Sequence, residues 1–384
     1  MDKDFEMMKV AVIEPVGGHG GMNYYDFSLC RGLSQAGADV TLYTCDETHV
    51  PEGLSYSVKL FFKKIYGADS KYKRALRYIT GLNSSFRDAR RHGVTVMHFH
   101  IFHPFFMEWL SLKMAKAYGF KIVITVHDVE SFSGKKMFKL SNDLYKSADR
   151  LIVHNKACRD SLLKSYPDLS SDVEIIPLGN LVEYANRSVT KKEAKEKLGL
   201  KGEGPFLLFW GQIKEAKGLD ILVDALPAVV KKIPSLRLLI AGKVWRNDFS
   251  KYQAMIDKYG IAENVISRIE YIPDELVDYY YNASDLIVLP YRLIYQSSVL
   301  LMAMSYGKAV IASDLPGMLE IIKDNSNGFV FRTNDHEHLS KRLIEILSNP
   351  AHLEKIAKSG FDTAVTRFDW NDIGVSTLNA YKKL

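Results

Sequence analysis

The chain has 384 residues, of which 47% are hydrophobic and 25% charged, with a net charge of +6. At roughly 100–200 residues per domain this length predicts two or three domains, and the composition excludes a disordered, collagenous or disulfide-scaffold chain. No apolar run approaches the ~20 residues needed to cross a bilayer. The opening residues are mixed in charge, unlike a secretory signal. Cys30, Cys45 and Cys158 are scattered and lack a CxxC spacing, which points to a reducing cytoplasm and away from a zinc or disulfide framework. The modest positive charge allows an acidic ligand or an anionic surface without requiring nucleic acid.

Residues 9–14 read as a buried strand. A glycine-rich turn, Gly17-Gly18-His19-Gly20-Gly21, follows, then a helix over 24–35 that Ala36-Gly37 ends. Further strands are expected at 39–44, 94–99, 121–126, 150–154 and 173–177. Continuous apolar strands alternating with helical patterns predict a parallel sheet covered on both faces. Residues 181–204 are polar and lysine-rich and read as a hinge region holding a helix at 190–198. The alternation then restarts, with strands expected at 206–210, 236–241, 265–272, 285–290, 308–313 and 328–331. The expected fold class is α/β, with two doubly wound halves facing a central cleft. Such sheets bind ligands beyond the carboxyl ends of their strands.

The second half carries specific motifs. Phe209-Trp210-Gly211-Gln212-Ile213-Lys214-Glu215-Ala216-Lys217-Gly218 resembles the "G-R-x-x-x-x-K-G" segment of family-4 glycosyltransferases. The segment Leu300-Leu301-Met302-Ala303-Met304-Ser305-Tyr306-Gly307, continuing to Asp314, resembles their "L-L-E-A-M-A-x-G-x-P-V-I-A-S-D". Asp285 to Tyr291 is similar to the strand leading into their sugar-nucleotide loop, and Phe368-Asp369-Trp370 with Tyr381 to their closing helix. The resemblance implies two Rossmann-like domains in the GT-B architecture. Residues 1–184 would bind the acceptor, 185–366 the nucleotide-sugar donor, and the helix in 367–384 would cross back to the first domain. It also implies a retaining, metal-independent transfer to a glycan or lipid-linked acceptor in bacterial polysaccharide synthesis. No cofactor is expected beyond the nucleotide sugar as co-substrate.

Departure of a diphosphate needs a cation, backbone N–H groups or a helix N-terminus. Lys217 stands after a strand and before a helical pattern, where a phosphate-binding ammonium fits; a solvated lysine at a helix start is the plain alternative. Gln212 replaces the family's arginine, keeping a hydrogen-bond donor without charge. Gln296, Ser297, Ser298 and Val299 form a loop before the next helix, with amides suited to phosphate, or else a simple serine cap. Ile272 and Glu320 complete the expected donor site. Ile294 and Met302 stand where many family members have glutamates for the sugar and the ribose. That leaves an altered donor, compensation by Gln296, Ser297 or Glu320, or lost activity; compensation is the favoured reading.

In the first half, Gly20 and Gly21 resemble the glycine pair of the acceptor-domain loop, whose amides would face the donor diphosphate, and His127 resembles the active-site histidine. A tight turn and a packed sheet-edge histidine are the plain readings. His98, His100 and His103 lack Cys, Asp or Glu at ligand spacing, so no metal site is expected. Residues 59–91 hold ten cations, Lys59, Lys63, Lys64, Lys71, Lys73, Arg74, Arg77, Arg87, Arg90 and Arg91, interleaved with aromatics. They read either as a solvated helix face or as a contact for an anionic membrane or a phosphate-bearing acceptor, with no nucleic-acid motif. The chain is thus expected to be cytoplasmic, or peripheral at the inner face of the membrane. Rival readings are a sugar-nucleotide epimerase or inverting transferase on the same fold, and a silent nucleotide-sugar-binding partner subunit.

Overall fold

Runs of aliphatic residues with no polar interruption can be satisfied only in strands buried on both faces. A computed structural model, which describes residues 7–17, 21–102, 104–129, 140–169, 173–245 and 248–384, contains two such sheets. The chain divides into one unit of Met1–Gly179 with Phe368–Leu384, and another of Asn180–Arg367.

The first unit contains β1 (Lys9–Glu14), β2 (Asp39–Cys45), β3 (Ser57–Phe62), β4 (Val96–Ile101), β5 (Lys121–Val126), β6 (Arg150–Val153) and β7 (Val173–Ile175). All pair in parallel, in the order β3-β2-β1-β4-β5-β6-β7. Val10, Ala11, Val12 and Ile13 of β1 are at most 1% exposed and form the centre of the sheet. Strand order reverses between β1 and β4, which opens a crevice at their carboxyl ends.

The second unit repeats the plan with β8 (Phe206–Trp210), β9 (Arg237–Ala241), β10 (Val265–Arg268), β11 (Leu286–Leu289), β12 (Ala309–Ser313) and β13 (Phe329–Phe331). Their order is β10-β9-β8-β11-β12-β13, again parallel, and the reversal lies between β8 and β11.

Three local readings change. β3 is an additional strand, and its Ser-Val-Lys-Leu-Phe-Phe sequence puts Lys59 in mid-strand. A half-buried edge strand tolerates such a charge, which is why the apolar pattern is weak there. The strand expected over 265–272 ends at Arg268. The lysine-rich segment is no free hinge. Thr190 and Glu193 form a capping box on helix Lys191–Leu198, which stops at left-handed Gly199. Lys191 pairs with Asp285 at 2.6 Å, and Asp285 also accepts from Phe206 N at 2.8 Å, so the helix is fastened to the second sheet.

Helix Trp370–Lys382, capped by Asp369, packs against helix Met22–Gln35 in the first unit. The two backbones meet at Gly32 and Gly374. A Cβ on Gly32 would overlap the Trp370 carbonyl, and one on Gly374 would overlap Gly32 itself. Gly32→Val is therefore expected to destabilise the chain by about 1–3 kcal/mol, because backbone cannot yield as a flexible side chain does. An unchanged melting temperature would contradict this packing.

Candidate functional site

At the reversal in the second sheet, β8 runs into Gly211 at φ +94° and the loop ends on Gly218 at φ +62°, both in the region that favours glycine. A side chain on Gly218 would strike the Pro290 carbonyl, so the loop lies directly on the exit of β11. Arg292 locks the two together. Its N–H donates to the Ala216 carbonyl at 2.8 Å, and its guanidinium makes bonds of 2.6 and 3.0 Å to Asp220. That arginine is neutralised where it stands.

Lys217 is not. Among the described residues no carboxylate pairs with it. Its Nζ donates to the Trp210 carbonyl at 3.4 Å and lies 5.2 Å from the centre of the Tyr291 ring. Burial of the ammonium lowers its pKa to about 8. A Cβ built on Gly211 would lie 3.1 Å from Lys217 Nζ and 4.0 Å from Val299 Cγ2. Gly211, Lys217 and Val299 thus converge on one small space.

Val299 lies in the first turn of helix Ser298–Ser305. Buried Ser297 caps it, its Oγ accepting from Leu300 N at 3.2 Å. The amides of Ser298 and Val299 precede the first bond the helix makes with itself, Leu301 N to Ser297 O at 3.3 Å. A half-buried ammonium, an absent side chain and a helix N-terminus make a cradle for an anion. Gln212 follows Gly211, and Gln296 precedes Ser297, so chain continuity brings both to its border. Ile272 is buried in the loop after β10. Glu320 is an exposed residue past β12 whose carbonyl accepts from Arg367 at 3.3 Å. Neither of the two makes a hydrogen bond or ion pair with Lys217 among the described residues. Ile294 and Met302 are both half-buried, so neither is fully enclosed in the core.

In the first unit, histidines gather at the carboxyl ends of β4, β5 and β6. The register pairs His100 with Thr125 and Thr125 with Ile152. His127 and His154, each two residues further on, therefore fall on the same face as His100. His100 Nδ1 lies 3.1 Å from His127 Nε2, and His127 Nδ1 lies 3.3 Å from His154 Nε2. Tyr25 meets all three rings edge-on, with centroids 5.1, 5.0 and 5.7 Å away, and Phe102 stacks on His127 at 4.6 Å. His98, whose ring centre lies 4.8 Å from that of His100, makes its hydrogen bonds elsewhere, to the Tyr381 hydroxyl at 2.6 Å and to Thr125 Oγ1 at 2.7 Å. Burial lowers the pKa of His98 to about 3 and of His154 to about 4, and places His100 and His127 well below the usual imidazole range. All four are neutral imidazoles.

Gly20, His19 and His103 lie outside the described residues. Gly21 caps helix Met22–Gln35 at φ −73°, with open space where a side chain would project, so the turn does not need glycine there. No group of three or more His, Cys, Asp or Glu among the described residues is placed to hold a metal ion.

Beside the histidines is a cavity of about 390 Å³, with Glu14, Tyr66, Arg74, Tyr78, Phe102 and Glu108 in its wall. Burial pushes Glu14 up to about 7 and raises Glu108. Arg74 Nε and Glu108 Oε2 are buried without a hydrogen-bond partner among the described residues. The wall therefore offers a donor and two carboxyl groups, Glu14 and Glu108, on a mainly apolar surface.

The basic stretch separates into two faces. Lys59 pairs with Asp88 at 2.5 Å, Arg77 with Asp69 at 2.6 Å, and Arg90 donates to the Tyr118 carbonyl. Phe62 and Phe86 are wholly buried in the core. Lys63, Lys64, Lys71, Lys73, Arg87 and Arg91 are exposed, alongside exposed Tyr72 and Leu76. Phe62 and Phe86 thus stabilise the domain, and the outer face is chiefly cationic. No helix among the described residues is long and apolar enough to cross a membrane.

Comparison with known proteins agrees with this architecture. Residues 190–363 match the glycosyl transferases group 1, and residues 19–180 match glycosyltransferase family 4. The chain is 22% identical over 292 residues to spore coat protein SA of Bacillus subtilis, covering 72% of this chain and 76% of that protein. It is 25% identical over 242 residues to a D-inositol 3-phosphate glycosyltransferase of Segniliparus rotundus, covering 62% of this chain and about half (53%) of that protein. HepE of Anabaena, solved with UDP and glucose, superposes with a TM-score of 0.76 at 17% identity, covering 98% of this chain and 100% of that one. Two parallel sheets with interleaved helices in this order constitute the GT-B fold. The chain belongs to the group 1, family-4-like glycosyltransferases.

The sequence reading singled out His127 but missed His154, Asp26, Glu14 and Tyr25 around it. A usable signal was present for His154. The runs at 121–126 and 150–153 are each followed directly by a histidine, so adjacent parallel strands place both rings at one edge.

Proposed function

We propose that this chain transfers a sugar from a nucleotide-sugar donor, bound on the second unit, to an acceptor bound on the first. The observation that carries the reading is Lys217: a half-buried ammonium without a carboxylate partner among the described residues, next to a helix N-terminus, stabilises a leaving diphosphate. HepE was solved with UDP and with UDP-glucose, which supports a donor of that class here. With Lys217 and the amides of Ser298 and Val299 carrying the charge, the transfer runs without a divalent ion. His127 lies at the transferred sugar, and the outcome is retention. The acceptor enters the cavity beside Arg74 and Glu108. Its mainly apolar wall suits an acceptor that pairs a hydroxyl-bearing group with an apolar arm, as a lipid-linked glycan of bacterial polysaccharide synthesis does. Glutamate's absence at Met302 and Ile294 leaves the donor hydroxyls to Gln296, Ser297 and Glu320.

Incubating the chain with a panel of nucleotide sugars, with EDTA present, should release nucleotide from one of them. Lys217→Ala should lower kcat roughly 10²–10³-fold, a loss of about 2–4 kcal/mol of leaving-group stabilisation. Undiminished turnover in that variant would remove Lys217 from the mechanism. Isomerised sugar in place of transfer would indicate an epimerase, and binding without turnover a silent subunit.

The exposed cations of the first unit add a second expectation, contact with an anionic membrane, at about 1 kcal/mol for each cation at the surface. The chain should sediment with anionic vesicles at physiological salt. Reversing Lys63, Lys64, Lys71 and Lys73 to Glu should release it while leaving nucleotide-sugar affinity unchanged. A wild-type chain that ignores such vesicles would refute the membrane contact.

A further inference from the structure

The hydrogen bonds of the histidine cluster can be given a direction. His154 Nδ1 lies 3.0 Å from the Ile176 carbonyl, which only accepts, so Nδ1 carries the proton. A neutral His154 then has a lone pair on Nε2 and accepts from His127 Nδ1. His127 Nε2 in turn accepts from His100 Nδ1. His100 is left with a lone pair on Nε2, and that atom faces Asp26 Oδ1 at 3.8 Å. Neither of these two atoms has a direct partner among the described residues. An ionised carboxylate facing a lone pair is repelled, whereas a protonated one is complementary. Burial, with the Glu14 charge adding to it, holds the Asp26 carboxyl well above the usual carboxylate range.

We propose that Asp26, His100 and His154 are positioning residues for His127: anchored on the Ile176 carbonyl, they form a one-way chain that locks His127 as a neutral Nδ1–H imidazole. Both ring nitrogens of His127 are engaged by protein, and its ring is held between Tyr25 and Phe102. His127 therefore meets the reacting sugar as a fixed neutral group rather than as a titrating acid or base. That consequence rests on the proposed transfer; the tautomers themselves do not.

The other arrangements that satisfy every contact move the Asp26 proton into the chain, giving an Asp26 carboxylate with an imidazolium at His100, His127 or His154 and Nε2–H on each histidine between Asp26 and the charged ring. Each places two charges inside the unit and is disfavoured by their desolvation. Among the described residues no buried carboxylate other than Glu14 and Asp26 faces the chain to compensate. The remaining titratable groups packed on it are Tyr25 and Cys30 of helix Met22–Gln35, His98 of β4 and Tyr381 of the last helix. Burial keeps all four neutral.

The test is ¹⁵N NMR of the full chain labelled at histidine, which separates protonated from unprotonated ring nitrogens. His100, His127 and His154 are each expected as Nδ1–H tautomers, unchanged between about pH 6 and 8. An Nε2–H form or an imidazolium at any of the three overturns the proposal. Asp26→Asn can still donate to His100 Nε2 and should keep the three Nδ1–H tautomers, and their loss in that variant would contradict a protonated Asp26. In turnover, His154→Gln, whose side-chain oxygen can accept from His127 Nδ1, should stay within a few-fold of wild type. His154→Phe should lower kcat about 10-fold or more, leave the donor KM unchanged and introduce an imidazole-like limb into the pH profile. Equal losses in both variants with a flat profile would reduce His154 to packing and contradict positioning. Correct tautomers in a chain that releases no nucleotide from any donor would instead refute the proposed transfer and leave the chain of bonds standing.

Discussion

A half-buried ammonium with no carboxylate beside it among the described residues is the constraint on which the second unit depends. Lys217 has lost much of its hydration and gains only a carbonyl and the face of an aromatic ring in return. That environment lowers its affinity for a proton and raises its affinity for an anion. The surrounding loop keeps it so: the nearby arginine is bound by Asp220, and Gly211 leaves empty the volume a side chain would fill between Lys217 and Val299. The site is suited to a ligand of opposite charge, which a nucleoside diphosphate would supply under the proposed function.

Parallel sheets account for where the chemistry collects in each unit. Every strand ends on the same edge, and strand order reverses once per sheet, so loops from distant parts of the chain meet at that edge. In the second unit the exits of β8 and β11 bring 211–218 against 290–299. In the first, the ends of β4, β5 and β6 bring three histidines into one line. The acidic partner comes from helix Met22–Gln35, and the last helix contributes Tyr381. Burial sets the protonation of this group more than any single charge does, since desolvation is the leading cause of the shift in all four histidines and in Asp26.

Most strands were legible because a strand buried on both faces must be written as an unbroken apolar run. β3 was not, because an edge strand accepts a lysine and so loses that pattern. The segment around helix Lys191–Leu198 read as a hinge because its charges are numerous; only the ion pair to Asp285 and the capping box reveal that it is built in. Lys217 was visible through its motif, but its missing counter-ion is a property of packing. The histidine chain was half legible: strand ends predict that the rings share an edge, but tautomer direction depends on the Ile176 carbonyl, which no sequence pattern marks. The aromatics at 59–91 suggested a binding surface. Folding turns Phe62 and Phe86 inward, which one-dimensional spacing across a strand and a helix does not disclose.

The most direct measurement is calorimetric titration of the full chain with UDP between about pH 7 and 9.5, for wild type and for Lys217→Met. Lys217 titrates near 8 in the free protein, and a bound diphosphate favours its charged form, so its pKa rises in the complex. Affinity should therefore hold steady up to about pH 8 and fall above it, toward tenfold per pH unit, while Lys217→Met binds weakly with no such fall. A wild-type affinity that is flat or rising across this range, or a Lys217→Met variant that binds UDP as wild type does, would contradict the claim that this lysine holds the leaving diphosphate.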